Sequence, residues 1–213
     1  MEFIPEEILR YCENHSESES ALLNRLNRDT CAKILNPRML SGHLQGRFLS
    51  MISQMLRPGY ILEIGTYTGY SALCLAEGLQ AGGKLITIDI NDELEAFAAG
   101  YFKESAFGQA IVQKTGDALL ILPDIESNID LVFIDADKKE YSAYYDLIID
   151  KVRSGGVILT DNVLWSGQVL QPAERQDPDT RSVTAFNEKI KTDPRVQVLM
   201  LPLRDGISVI MKK

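Results

Sequence analysis

The sequence predicts an α/β fold: a doubly wound, mostly parallel seven-stranded sheet with helices on both faces and an antiparallel hairpin at its C-terminal end. Three observations predict it. From about residue 58 onward, short apolar runs alternate with amphipathic stretches, as βαβ crossovers and a sheet covered on both faces require. The last two apolar runs, 196–200 and 206–211, are separated only by 202–205, too little chain for a crossover helix, so they pair antiparallel. Finally, 213 residues with 45% hydrophobic and 24% charged side chains match the size and usage of one ordinary globular domain.

Taken in order, the chain reads as helical through residue 57. Pro5 suits a first helical turn, Ile8, Leu9 and Cys12 recur at helix spacing, and Leu22, Leu23 and Leu26 do the same. A third segment carries Leu44, Phe48, Ile52, Met55 and Leu56 along one stripe. Pro58 and Gly59 then break the pattern. Strands are expected at 60–63, 85–89, 110–113, 130–134 and 157–160, with helices at 71–79, 92–105, 140–152 and 180–191. The helix at 140–152 carries Tyr144, Tyr145, Ile148, Ile149 and Val152. A helical segment over 1–57 and a Rossmann-like core over 58–213 thus make up a single domain, without internal repeats or a flexible linker.

Composition removes several function classes. With 22 Lys+Arg against 30 Asp+Glu, the net charge of -8 opposes the phosphate backbone of nucleic acid. No apolar run approaches the roughly 20 residues of a membrane span. The start, Met1, Glu2, Phe3, Ile4, Pro5, Glu6, Glu7, is acidic where a secretory signal is basic, so a cytoplasmic protein is expected. Cys12, Cys31 and Cys74 form no C-x-x-C, and His15 and His43 are the only histidines, so neither a disulfide framework, a zinc site nor a histidine triad is indicated. Chemistry must rest on carboxylates, amides, lysines or a cofactor.

In an open parallel sheet, ligands bind beyond the carboxyl ends of the strands. The first strand ends in Glu63, Ile64, Gly65, Thr66, Tyr67, Thr68, Gly69, Tyr70, Ser71. Neither register of this loop fits the dinucleotide pattern G-x-G-x-x-G, and an anionic Glu63 would repel a pyrophosphate. E-x-G-x-x-x-G suits a cationic or neutral ligand. Asp89, at the end of the second strand, can accept hydrogen bonds from both ribose hydroxyls. A nucleoside without phosphates is implied, and S-adenosylmethionine, with a ribose, an adenine and a positive sulfonium, meets that description. Gly65 alone also reads as a structural turn; the ordered set Glu63, Gly65, Gly69, Asp89 is more specific. After the third strand, Gly116, Asp117 and Ala118 either border an adenine ring or begin a helix with Asp117 as its cap.

The fourth strand ends Asp135, Ala136, Asp137, Lys138, Lys139, and the fifth ends Thr160, Asp161, Asn162. Two carboxylates and an amide oxygen, Asp135, Asp161 and Asn162, suit a hard divalent ion, with magnesium the best fit and calcium or manganese the alternatives. Asp161 and Asn162 also suit a simple turn. Lys138 is either a solvated surface charge or a side chain returning over the metal.

Together these residues resemble the cation-dependent class I O-methyltransferases, the group of catechol O-methyltransferase and caffeoyl-coenzyme A O-methyltransferase. The resemblance runs from Met39 through Gly46, Arg47, Phe48 and Leu49, the stretches 62–72, 86–91, 130–138 and 160–165, and Phe186 and Asn187, to Asp205, Gly206 and Ile207. It implies that Glu63, Gly65, Thr66, Tyr67 and Ser71 hold the methionine moiety or the loop around it, that Asp89 takes the ribose, and that Met39 lies near the sulfonium. Asp117, Ala118 and Asp137 fall at the adenosine end or its surroundings, and Asp135 also counts among the cofactor-binding residues. Asp135, Asp161 and Asn162 match the metal ligands, and Lys138 matches the catalytic lysine. Asn162 and Trp165, the only tryptophan, fall where the family meets its acceptor, although core packing accounts for Trp165 equally simply.

The expected activity is therefore methyl transfer from S-adenosylmethionine to a hydroxyl of a small aromatic diol chelated by a divalent cation, with Lys138 removing the proton. The segment 166–181 carries no acceptor signature; a coenzyme A ester would need basic residues near the mouth, for which Arg175, Arg181 and Arg204 are no more than candidates. A homodimer is expected, since the N-terminal helices exceed what covering one sheet requires. Two rivals stand beside this reading. A nicotinamide-dependent reductase lacks its third glycine and a Tyr-x-x-x-Lys pair, as Tyr141, Tyr144 and Tyr145 have no lysine four residues on. A non-catalytic nucleoside-binding module would not need Lys138 beside three metal-type ligands.

Overall fold

The computed structural model describes residues 4–213; Met1, Glu2 and Phe3, on which part of the reading of the N-terminus rests, lie outside the described residues. The strands form one seven-stranded sheet in the order β3-β2-β1-β4-β5-β7-β6. The α/β class and the C-terminal antiparallel hairpin expected from the sequence are both present. The chain divides into two compact units, one over Pro5–Asp117 and one that includes Ala118–Lys213.

In the first unit, α1 (Glu6–Asn14), α2 (Ala21–Lys33) and α3 (Gly42–Leu56) precede β1 (Tyr60–Ile64), α4 (Tyr70–Ala76), β2 (Lys84–Asp89), α5 (Glu95–Glu104) and β3 (Ile111–Thr115). Every residue of β1 is buried, as a parallel strand covered on both faces demands. It runs parallel to β2, which runs parallel to β3. Ser20 caps α2 by accepting from the Leu23 N–H at 3.2 Å. The apolar stripe of α3 is not its inner face. Gln45, Gly46, Leu49, Ser50 and Ser53 are buried, while Met51 and Met55 are exposed. The reason is a close approach to α4: a Cβ on Gly46 would lie 2.6 Å from the Tyr70 ring and one on Gly78 would lie 2.2 Å from the Ser53 carbonyl carbon. Small residues win this face because they let the two backbones meet.

The second unit holds α6 (Ala118–Ile121), β4 (Ile129–Ile134), α7 (Tyr141–Ile148), β5 (Val152–Asp161), α8 (Pro178–Thr192), β6 (Val196–Leu201) and β7 (Ile207–Lys212). β4 and β5 are parallel, and β7 pairs antiparallel with both β5 and β6. Its core packs Tyr141 and Tyr145 edge-on against Phe186, with ring centroids 5.5 Å and 6.1 Å apart. One expectation is corrected here. Val152 does not end the helix: α7 stops at Ile148 and Val152 opens β5 opposite Ile129. The strand then bulges before Val157 meets Leu131, with Gly155 at φ 73 and Arg153 ion-paired to Asp130 at 2.5 Å. Helical spacing of apolar residues ran on through a turn whose end is set by tertiary pairing.

Among the described residues no helix is long and apolar enough to cross a membrane.

Candidate active site

In the first unit the glycine loop leaves β1 through Gly65 at φ 105, Tyr67 at φ 48 and Gly69 at φ 88, and α4 begins at the next residue. A side chain at Gly69 would place its Cβ 2.6 Å from the Phe102 ring, so both the backbone conformation and the space call for glycine. Glu63 is fully buried, and its Oε2 accepts from the Thr87 hydroxyl at 2.6 Å. Thr87 Oγ1 also meets Thr66 Oγ1. A hydroxyl has one proton, so with Thr87 donating to Glu63 the chain runs Thr66 to Thr87 to Glu63. The buried carboxylate is thereby wired to the floor of the loop. Thr87 was missed in the sequence; a threonine inside an otherwise apolar strand was its only signal.

Asp89 ends β2 half-exposed. Its Oδ2 accepts from the Tyr67 N–H at 2.7 Å and its Oδ1 from the Asn91 N–H at 2.9 Å. An ionised carboxylate has about four acceptor positions, so room is left for two ribose hydroxyls. The residues fit a cofactor with a ribose and a cationic tail. The Tyr67 hydroxyl shares its one proton between the carbonyls of Leu35 and Asn36, at 3.2 and 3.3 Å, and burial raises its pKa, keeping it a donor. That contact ties the loop to the turn Pro37–Met39, where Met39 is exposed. Ser71 is buried in the first turn of α4. Asp117, exposed, directly precedes α6, and Ala118 is the first, buried, residue of that helix.

In the second unit, Ile134 of β4 is registered with Thr160 of β5, so Asp135 follows β4 at the level where Asp161 ends the neighbouring strand. Asp161 is buried at 2% exposure, and its Oδ1 accepts from the Asn162 N–H at 2.8 Å. Asn162 adopts a left-handed φ of 56, a conformation asparagine tolerates better than most residues. Lys138 opens a 3-10 turn and folds back: its Nζ donates to Asp135 Oδ1 and to the Ala136 carbonyl, each at 2.9 Å. Asp137 is exposed and caps that turn by accepting from the Lys139 N–H. Among the described residues no group of three His, Cys, Asp or Glu side chains is placed to hold a metal. The oxygen set read from the sequence is two carboxylates and one amide, and its chemistry fits a hard divalent ion.

Tyr141 completes this end. It is fully buried, and its hydroxyl donates to the Asp161 carbonyl at 3.0 Å. Burial, and then the carboxylates of Asp135 and Asp161, hold its pKa well above the ordinary phenol value, so it stays a donor. Beyond Asp161 the chain turns through Trp165 at φ 46, Ser166 at φ 51 and Gly167 at φ 78. Non-glycine residues in this region cost about 1 to 3 kcal/mol each, so other contacts must hold them. Asn187 of α8 donates to the Val163 carbonyl at 2.8 Å, and Asp205 and Gly206 accept from the N–H groups of Leu164 and Val163. Trp165 is half-buried. The sequence drew attention to Tyr141 only as a poor reductase tyrosine and assigned Asn187 no role; neither residue has a local signal.

A family model for O-methyltransferases matches residues 13–213. The chain is 32% identical over 210 residues to a probable caffeoyl-CoA O-methyltransferase 1 of Dictyostelium discoideum, covering 96% of this chain and 91% of the relative. It is 36% identical over 196 residues to the caffeoyl-CoA O-methyltransferase of Mesembryanthemum crystallinum, covering 85% and 76%. The crystal structure of an O-methyltransferase from Bacillus cereus in complex with SAH superposes with a TM-score of 0.89 at 28% identity, over 97% of each chain. By the match along nearly its whole length, this chain belongs to the O-methyltransferase family.

Proposed function

We propose that the whole chain works as one methyltransferase domain, moving the methyl group of S-adenosylmethionine to one hydroxyl of a small aromatic diol, of catechol or hydroxycinnamoyl type, with the help of a divalent cation. The observation that carries this reading is the Lys138 ammonium seated 2.9 Å from Asp135 Oδ1, on the strand end beside Asp161 and Asn162. A lone surface lysine would be solvated; this one returns to the carboxylate that the reading makes a metal ligand.

S-adenosylmethionine, when bound, supplies an electrophilic methyl group on a positive sulfur. Asp89 binds the ribose hydroxyls, Gly65, Thr66, Tyr67 and Ser71 line the methionine end, and buried Glu63 supplies negative potential that favours the cationic tail. Met39, Asp117, Ala118, Asp135 and Asp137 complete the cofactor's surroundings. Asp135, Asp161 and Asn162 would hold magnesium, or calcium or manganese, whose charge makes a coordinated hydroxyl more acidic. For Lys138 to take the proton of the acceptor hydroxyl at Nζ, its ammonium must first release a proton to solvent, which a cation held at Asp135 would favour. Asn162 and Trp165 orient the diol, and orientation supplies much of the rate in a methyl transfer.

The molecule acts as a homodimer in this reading. No residue of α1 is buried; Ile8 and Tyr11 on it and Met51 and Met55 on α3 are exposed apolar side chains that a second copy would cover. Light scattering at micromolar concentration giving 23.8 kDa would refute the dimer.

The decisive assay follows a labelled methyl group from S-adenosylmethionine to catechols, hydroxycinnamates, flavonoids and their coenzyme A esters, with magnesium and with EDTA. Transfer that EDTA leaves intact would remove the cation from the mechanism. Transfer to monophenols as fast as to diols would remove the chelated acceptor.

A further inference from the structure

We propose that Asp205, in the turn joining β6 to β7, is a positioning residue that clamps Trp165 from both sides and so shapes the acceptor end of the site; this rests on the methyltransferase reading above. The turn reaches the loop after β5 with two acceptors from a single residue. The Asp205 carbonyl accepts from the Leu164 N–H at 2.9 Å, and its carboxylate Oδ1 accepts from the Ser166 N–H. Trp165 lies between these two anchored residues. Both Trp165 and Ser166 hold left-handed backbone angles that an L side chain adopts only under constraint. The neighbouring Gly206, at φ 90, lets the turn come this close: a Cβ there would lie 2.5 Å from Leu164 Cγ.

The carboxylate has a second relation to the site. Asp205 stands with Asp135 and Asp161 among the charges acting on the Tyr141 hydroxyl, the group that donates to the Asp161 carbonyl. The hairpin turn therefore shares an electrostatic neighbourhood with the strand ends that carry Lys138 and the oxygen ligands. Releasing the Ser166 N–H frees the indole of Trp165 without touching Glu63, Asp89 or Lys138. The acceptor end as proposed should loosen while the residues proposed for the methyl donor keep their hydrogen bonds.

The test compares Asp205→Ala, Asp205→Asn and wild type in two readouts. Trp165 is the only tryptophan, so acrylamide quenching of intrinsic fluorescence reads this residue alone and needs no turnover. Asp205→Ala should raise quenching and raise KM for catechol on the order of tenfold, the worth of one hydrogen bond, with KM for S-adenosylmethionine unchanged. Asp205→Asn keeps an oxygen acceptor and should restore both readouts. Should Asp205→Ala unfold, the double variant Ser166→Gly with Asp205→Ala replaces it, because glycine holds the left-handed turn unaided; a folded double variant with a catechol KM near wild type supports the clamp, and a double variant that still unfolds overturns it. Wild-type quenching in Asp205→Ala, or Asp205→Asn as impaired as Asp205→Ala, overturns it. Failure of the wild type to methylate any diol would overturn the diol-acceptor reading instead, and quenching would still decide whether Asp205 holds Trp165.

Discussion

The loops that follow β1 and β5 reach left-handed backbone angles by different means. The loop after β1 does so at Gly65, Tyr67 and Gly69, so two of its three unusual residues are glycines that adopt the angle freely. The loop after β5 does so at Asn162, Trp165, Ser166 and Gly167, of which only the last is glycine. Its conformation is imposed by Tyr141, Asn187, Asp205 and Gly206, residues from α7, α8 and the hairpin turn. The loop after β1 is thus encoded where it stands, and the loop after β5 is held from elsewhere. A loop of the second kind can be retuned from distant positions, because the contacts that hold it come from other elements.

The largest test of this contrast concerns the second loop's surroundings. Lys138→Ala should cut turnover by about a hundred- to ten-thousand-fold, the usual cost of removing a general base, and the loss should persist at saturating magnesium. Asp161→Ala should lose activity too, but recover in part as magnesium is raised, because its defect lies in affinity. Identical magnesium responses in the two variants would dissolve the distinction between base and ligand.

On the cofactor side, Asp89→Ala should weaken S-adenosylmethionine binding by about 1.5 to 3 kcal/mol, as expected for hydrogen bonds to a charged acceptor. Calorimetry showing full affinity in a folded variant would remove Asp89 from the ribose. Lys138→Ala should bind the cofactor as wild type does.

The local encoding of the first loop is tested by Gly69→Ala, which should destabilise the fold by about 1 to 3 kcal/mol through its backbone angle and its collision with Phe102. Ser166→Gly should shift stability by less than about 1 kcal/mol, since relief of the left-handed strain offsets the added chain entropy. Denaturant midpoints for the two variants compare the loops directly; equal losses would mean that both conformations are locally encoded.

The smallest effect is a pH dependence in the second unit. The Arg195 guanidinium, with its hydrogen bonds, holds the Asp193 carboxyl below its ordinary range, and the Tyr145 hydroxyl donates to it at 2.9 Å. A carboxyl depressed in the folded state stabilises the fold above its unfolded pKa, about 3.9, and loses that contribution as pH falls further through the folded value. Asp193→Asn should therefore melt below wild type at neutral pH, with the gap closing under acid. A gap constant from pH 7 to pH 2 would argue that the charge is irrelevant there.

By itself the sequence determined the α/β class, the hairpin, most strand positions and both sets of strand-end residues, because parallel strands must be apolar throughout and their ends must carry the polar chemistry. It determined the first loop as well, since Gly65 and Gly69 announce their angles. Only the tertiary structure decided that Val152 belongs to β5, that the buried face of α3 is Gln45, Gly46, Leu49, Ser50 and Ser53 while its apolar stripe is mostly half-buried, and that Thr87 links Thr66 to Glu63. It also decided that Asp205 holds the residues on either side of Trp165. These are contacts between residues distant in the chain, and a spacing rule sees only neighbours within a turn or a strand. Hydrogen bonds that cross from one element to another leave no period in the sequence, so the loop they hold reads as structureless until the fold brings its partners to it.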